Sequence, residues 1–309
     1  MEVTRGPATI FPMKSSKAVL TTALALVLAT ATVATKAATN PAPTNSLPAL
    51  PVAGLPVSQP RETQYDFTSR ITGRNYRIMV STPFQADPHR TYPVVYLIDG
   101  NWYFRATADS VTESSGAARI LPAIVVGVGY PTDNNSEVGS RRMLELSLPG
   151  GPEGKDADQS KFGGGDDFLR VLQEEVKPFI QSHYAVDETH QTLYGKSLGG
   201  LMVLRMLFQH PEAFQTYVAA SPSIWWNHEA VLADEDAFSR LVRTGKLRLK
   251  IMVTSAGEER NSDASGLAAR LAALNPTKVV VARAIFAGED HVSVSLASIG
   301  RALTFALPR

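Results

Sequence analysis

Six short runs of consecutive apolar residues, rich in β-branched side chains, set the first limit on the fold. They are YPVVYLIDG (residues 92–100), LPAIVVGVGYP (121–131), HQTLYG (190–195), TYVAASPS (216–223), LRLKIMVTSAG (247–257) and KVVVARAIFAG (278–288). A strand with one wet face alternates polar and apolar residues. A continuous apolar run stopped by Asp-Gly, as over 92–100, instead suits a strand buried on both faces. An earlier stretch, TQYDFTSRITGRNYRIMVSTP, does alternate and reads as two strands joined at Thr72-Gly73.

Helical patterns separate these runs. In DDFLRVLQEEVKPFIQSHY, Phe168, Leu172, Val176 and Phe179 share one stripe at helical spacing. SLGGLMVLRMLFQHPEAF is apolar nearly all round and predicts an interior helix, with Met202, Met206 and Phe208 in the core. SGLAARLAALNP and VSVSLASIGRALTFAL predict two more. Buried strands alternating with helices imply an α/β fold: a mostly parallel central sheet with helices on both faces. Residues 131–167 break the alternation. They are polar and glycine-rich and read as one long loop, either a functional excursion or disordered. Gly154-Lys155 does not make a phosphate loop, since the first glycine of that motif would fall on Pro149.

The N-terminal residues follow a different logic. Lys14 and Lys17 after Met13, an apolar run over 18–33 and small residues over 34–38 have the layout of a secretory signal peptide, with Met13 a possible true start. The apolar run is short for a membrane span and diluted by threonine. We therefore expect a signal peptide over 1–38, a Pro-rich linker over 39–60 and a catalytic domain over 61–309, exported to the periplasm or secreted. The linker composition buries too little apolar surface to offset its ordering entropy.

A formal net charge of +1 over 309 residues gives no bulk attraction for nucleic acid. With no cysteine, disulfides, thiolate metal sites and a cysteine nucleophile are all excluded. We expect no metal, no cofactor and no stable membrane partner.

The chemistry concentrates at Gly195-Lys196-Ser197-Leu198-Gly199, between a short strand and the apolar helix. This is the setting of a nucleophile elbow, in which small neighbours let strand and helix approach while the serine projects from the sheet edge. The helix N-terminus there favours developing negative charge. In the elbow fold the partners follow in the order serine, acid, histidine. Glu258 and Glu259 follow the run ending at residue 257, and His291 follows the run ending at 288. His291 is the expected base; Glu259 is the first choice of acid and Glu258 the alternative. Asp290 beside His291 is expected to pair with a cation or face water. His89, His183, His190 and His210 sit in polar settings, and no acid-bearing strand end separates His228 from the serine. A serine hydroxyl needs such a base to become nucleophilic, and an acid orients the imidazole. The backbone N–H groups of Leu198 and Asn101 are the expected oxyanion donors.

Taken together, YPVVYLIDGNWYF, YGKSLGGLMVLRMLFQHPEAFQTYVAASPSIWW and AGEDHVSV resemble the esterase D and enterochelin (siderophore) esterase-like group of α/β-hydrolases, over roughly residues 61–309. The resemblance implies one α/β-hydrolase domain with Ser197 as nucleophile, His291 as base and an oxyanion donor just after Asp99-Gly100. It also implies a small-molecule ester, a siderophore among the candidates, as substrate. The chain departs from the family pattern at Lys196, where histidine is common, and at Arg260, where an acid is usual. Arg141 and Arg142 either face an anionic substrate or are solvated surface residues. Trp225 and Trp226 either line a substrate pocket or anchor the core. The reading is an exported serine esterase working through an acyl-enzyme. Acyl transfer on the same scaffold and a non-catalytic binding module are the alternatives, and only the latter would dispense with the serine and histidine.

Overall fold

The computed structural model describes residues 58–152, 159–257, 263–275 and 277–309. Its centre is an eight-stranded sheet: β1 (Glu62–Thr68), β2 (Asn75–Ser81), β3 (Tyr92–Ile98), β4 (Ile124–Gly129), β5 (Val186–Lys196), β6 (Thr216–Ala220), β7 (Leu249–Ala256) and β8 (Val279–Phe286). The spatial order is β1-β2-β4-β3-β5-β6-β7-β8. β2 runs antiparallel to β1 and β4, and all the later pairings are parallel. This is the α/β-hydrolase fold.

The continuous apolar runs are explained by where alternate residues go. In β3, Val94, Tyr96 and Ile98 enter one hydrophobic cluster while Val95 and Leu97 enter another on the opposite face. Each buried aliphatic side chain of this kind contributes about 1.5–3 kcal/mol. One face is covered by α1 (Gly100–Gly116), through Phe104 and Val111, and by the last helix (Val294–Ala306), through Ile299 and Leu303. The other face carries α2 (Asn135–Glu145), α3 (Gly165–Arg170), α4 (Lys177–His183), α5 (Leu198–Gln209), α6 (Glu235–Arg243) and α7 (Ala264–Ala272); the last helix is thus α8.

Two expectations change. Residues 131–167 are not one structureless loop, because α2 lies inside them. Its N-cap Asn134 accepts from the backbone N–H groups of Ser136 and Glu137 at 3.0 and 3.3 Å, which is a start signal of the kind Asx residues provide. The segment read as one regular helical stripe over 166–184 is interrupted. Val171–Val176 is a π turn between α3 and α4, so Leu172 and Val176 stay buried at their four-residue spacing although the turn between them is wider than that of a regular α-helix.

The strand order reverses between β4-β3 and β5-β6. α1 leaves β3 for one face and α5 leaves β5 for the other, which opens a crevice outside the carboxyl ends of these two strands. Ligands bind such sheets at that switch point. The junction of β5 with α5 is tight. A Cβ on Gly195 would stand 2.3 Å from the carbonyl oxygen of Gly199, and one on Gly200 would stand 3.0 Å from that of Ala220. Gly195→Ala is accordingly expected to cost about 2–3 kcal/mol of stability, measured by urea denaturation, whereas Gly300→Ala on α8, with open space around its Cβ position, should cost nothing.

Candidate active site

Ser197 is the residue between β5 and α5, at φ 60° and ψ −118°. Left-handed φ at a non-glycine residue costs about 1–3 kcal/mol and persists only where its surroundings fix it. Here the backbone is fixed on both sides. Ser197 N–H donates to Ala220 O at 2.9 Å, and Ser197 O accepts from the N–H of Leu201 at 2.9 Å and of Ser223 at 3.1 Å. The side chain is thereby aimed out of the sheet edge at the first turn of α5. The N–H groups of that turn have no intrahelical acceptor.

His291 arrives from the opposite side, in the connection between β8 and α8. Its Nε2 lies 2.9 Å from Ser197 Oγ. The connection is held by Asp290, whose Oδ1 accepts from the N–H of Val292 at 2.7 Å and of Ser293 at 2.8 Å, while Ser293 Oγ accepts from Asp290 N–H at 3.0 Å. These amide contacts hold the Asp290 carboxyl below the usual carboxylate range. A lowered value means the turn is anchored above the ordinary carboxylate pKa and loses its anchor as pH falls through the lowered one. Asp290 faces water, one of the two roles expected for it, and it also serves as a local turn anchor. Glu258 and Glu259, the two expected acids, lie outside the described residues.

The wall facing Ser197 is the start of α1. Asp99 precedes it at φ 61° and ψ 44°. The Asn101 side chain ties this start to the end of β4: Oδ1 accepts from Tyr130 N–H at 2.8 Å, and Nδ2 donates to Tyr130 O at 2.9 Å and Thr132 O at 3.2 Å. The Asn101 N–H itself belongs to a first helical turn, as does that of Leu198. The sheet order sets the two turns side by side, and a Cβ on Gly199 would stand 3.2 Å from Asp99 Oδ2.

Neither reading of the arginine pair holds. Arg142 Nε donates to both carboxylate oxygens of Asp99, at 2.9 and 3.0 Å, and its Nη2 donates to Lys196 O at 3.2 Å. The guanidinium also lies 5.4 Å from the Trp102 ring centroid. Arg142 therefore staples the α1 turn to the elbow and is neither solvated nor free for substrate. The Asp99 carboxyl is fully enclosed, and desolvation raises its pKa against the pull of Arg142 and Lys196. Arg141 is engaged elsewhere. Its Nη2 and Nε donate to buried Glu145 at 2.8 and 3.3 Å, its Nη1 to Asn75 O, and it lies over the Tyr130 and Tyr76 rings.

The tryptophans divide. Trp226 is 1% exposed, and its Nε1 donates to Leu148 O at 2.8 Å, so it anchors the core and is not a pocket wall. Trp225 is 38% exposed, in the turn after β6. Trp102, which sequence reasoning did not single out, is 39% exposed on the first turn of α1. Asp99, Asp290 and Ser223 were also missed as site-building residues. Asp99 carried a signal, being a charge at the end of a run otherwise buried on both faces; Ser223 carried none.

A histidine within hydrogen-bonding reach of a serine on a strained elbow of this sheet is the equipment of a serine hydrolase acting on carboxylic esters. The chain belongs to the esterase family, whose family model matches residues 69–296. It is 35% identical to the ferri-bacillibactin esterase BesA of Bacillus subtilis over 257 residues, covering 78% of this chain and 87% of that one. It is 28% identical to the siderophore triacetylfusarinine C esterase of Aspergillus fumigatus, covering 80% and 94%. The crystal structure of the BES protein from Bacillus cereus superposes with a TM-score of 0.76 at 32% identity, over 84% of this chain and 100% of that chain.

Two outcomes test this geometry. Arg142→Met leaves Asp99 enclosed without its main partner and should destabilise the fold by about 3 kcal/mol at neutral pH. Because an enclosed acid can take up a proton, the loss should shrink as pH is lowered, and Asp99→Asn in the same background should recover part of it; urea titrations at two pH values measure both. Asp290→Ala removes the turn's acceptor and should lower esterase turnover by about tenfold through misplacement of His291, while Asp290→Asn, which keeps an acceptor oxygen, should stay near wild type in a steady-state assay.

Proposed function

We propose that the protein hydrolyses siderophore esters through an acyl-enzyme on Ser197. The observation that carries the reading is the 2.9 Å contact between His291 Nε2 and Ser197 Oγ on the strained elbow. In acylation, Ser197 Oγ attacks the ester carbonyl and gives its proton to His291 Nε2. The oxyanion so formed accepts hydrogen bonds from the backbone N–H groups of Leu198 and Asn101. Collapse breaks the carbonyl carbon–alkoxy bond, and the imidazolium returns the proton to the departing alcohol. Water then repeats the sequence on the acyl-enzyme and releases the acid. One of Glu259 and Glu258, directly after β7, is the proposed acid that orients the imidazole. Trp225 and Trp102 present exposed ring surface to the substrate.

The substrate class rests on relatives named for ferri-bacillibactin and for triacetylfusarinine C. Export rests on the signal-like pattern of residues 13–38; sequencing the N-terminus of the protein recovered from a periplasmic or culture fraction tests it.

Purified protein is incubated with ferric bacillibactin and with ferric triacetylfusarinine C, and products are followed by liquid chromatography–mass spectrometry. The expected result is release of the free acid and alcohol, lost by at least about a thousandfold in Ser197→Ala and in His291→Ala. Cleavage of simple acyl esters with both siderophores left intact would refute the substrate class. A new ester in place of the free acid when a competing alcohol is added would make the enzyme an acyl transferase.

A further inference from the structure

Ser197 Oγ has a second partner. Ser223 Oγ lies 3.3 Å from it, and Ser223 is 3% exposed. The contact is part of a larger clamp. The segment from Ala220 to Ser223 crosses directly beside the elbow: Ala220 O accepts from Ser197 N–H, Ser223 N–H donates to Ser197 O, and the Cβ position of Gly200 is closed by Ala220 O and by Pro222 Cα at 3.0 Å each. Ser221 takes φ 41° to make the turn. The same short turn thus holds the backbone of Ser197 at two points and reaches its reactive oxygen at a third.

Proton counting fixes the direction of that third contact. Ser197 has one hydroxyl proton, and it must point at His291 Nε2 for the base to take it. Ser223 can then meet Ser197 Oγ only as a donor, into a lone pair. We infer that the Ser223 hydroxyl positions the nucleophile, donating to Ser197 Oγ and holding it in the rotamer that faces His291. The inference rests on the reading of Ser197 as nucleophile. A serine side chain otherwise has three staggered rotamers, and in the one it occupies Oγ is within reach of both neighbours. During attack Oγ loses its proton to His291 and bonds to the carbonyl carbon, and the Ser223 proton stays where it is. Ser223 therefore gains and loses no proton over the cycle, and its effect is on alignment in the acylation step.

The test uses the full chain and a fluorophosphonate, which bonds to an activated serine without needing the siderophore pocket. Second-order inactivation rates, kcat and KM are measured for the wild type, Ser223→Ala and Ser223→Thr, together with Tm. The Ser223 backbone N–H persists in all three. Loss of one neutral hydrogen bond predicts an inactivation rate and a kcat about five- to tenfold lower in Ser223→Ala. KM should be unchanged, and Tm within a few degrees of wild type. Ser223→Thr, which keeps the hydroxyl, should recover most of the rate. An Ala variant as fast as wild type overturns the inference, as does a Thr variant as slow as Ala, or a loss that appears in KM alone. Failure of the underlying reading looks different: the wild type itself then carries no adduct on Ser197.

Discussion

The architecture turns on a close approach. Strand β5 and helix α5 meet with Gly195 against Gly199, closer than any side chain permits, and the residue between them is forced to φ 60°. Such strain survives only when the surroundings supply more than it costs. They do so through the parallel pairing of β5 with β6, which carries the Ala220 carbonyl to Ser197 N–H, and through the deep burial of α5. The strain then has a use. It turns the serine side chain away from the core, towards the crevice between β3 and β5, where a histidine from the far end of the sheet can reach it.

A second level of organisation is electrostatic. Asp99 and Arg142 form an enclosed pair between the two first helical turns that face each other at the site. Such a pair is weak evidence for stability, because desolvation offsets much of the attraction, but breaking it leaves a stranded charge. Its position suggests why a charge is tolerated there: it fixes the separation of two backbone segments whose N–H groups are the proposed oxyanion donors. Lys196 adds a further positive charge acting on Asp99 and on Asp290. The α1 turn, the elbow and the histidine loop thus share one set of charges.

Much of this was legible in the chain, for identifiable reasons. The continuous apolar runs announced strands buried on both faces, as β3, β4 and β6 are, but the run over 278–288 misled: β8 lies at the sheet edge with Val280 and Ile285 exposed. The glycines around Ser197, followed by an apolar helix, announced the elbow. His291 was legible because its strand end and its order after the serine left few competitors. What escaped were features set by tertiary contact. Arg141 and Arg142 adjoin in sequence but point to different partners, and no periodicity tells an arginine that binds Asp99 from one that binds solvent. Trp225 and Trp226 adjoin likewise, and only packing against Leu148 separates the buried ring from the exposed one. Helix α2 was hidden because its composition is polar and its start signal is one asparagine. The π turn was hidden because its spacing imitates a helical stripe.

The central claim is that the Ser197–His291 contact makes Ser197 a nucleophile. The most direct measurement is reaction of the purified, folded protein with a fluorophosphonate, followed by peptide mass spectrometry to locate the adduct. The account predicts one adduct, on Ser197, absent from Ser197→Ala and formed far more slowly in His291→Ala. A folded wild-type protein that gains no adduct, or gains one on another residue, would contradict it.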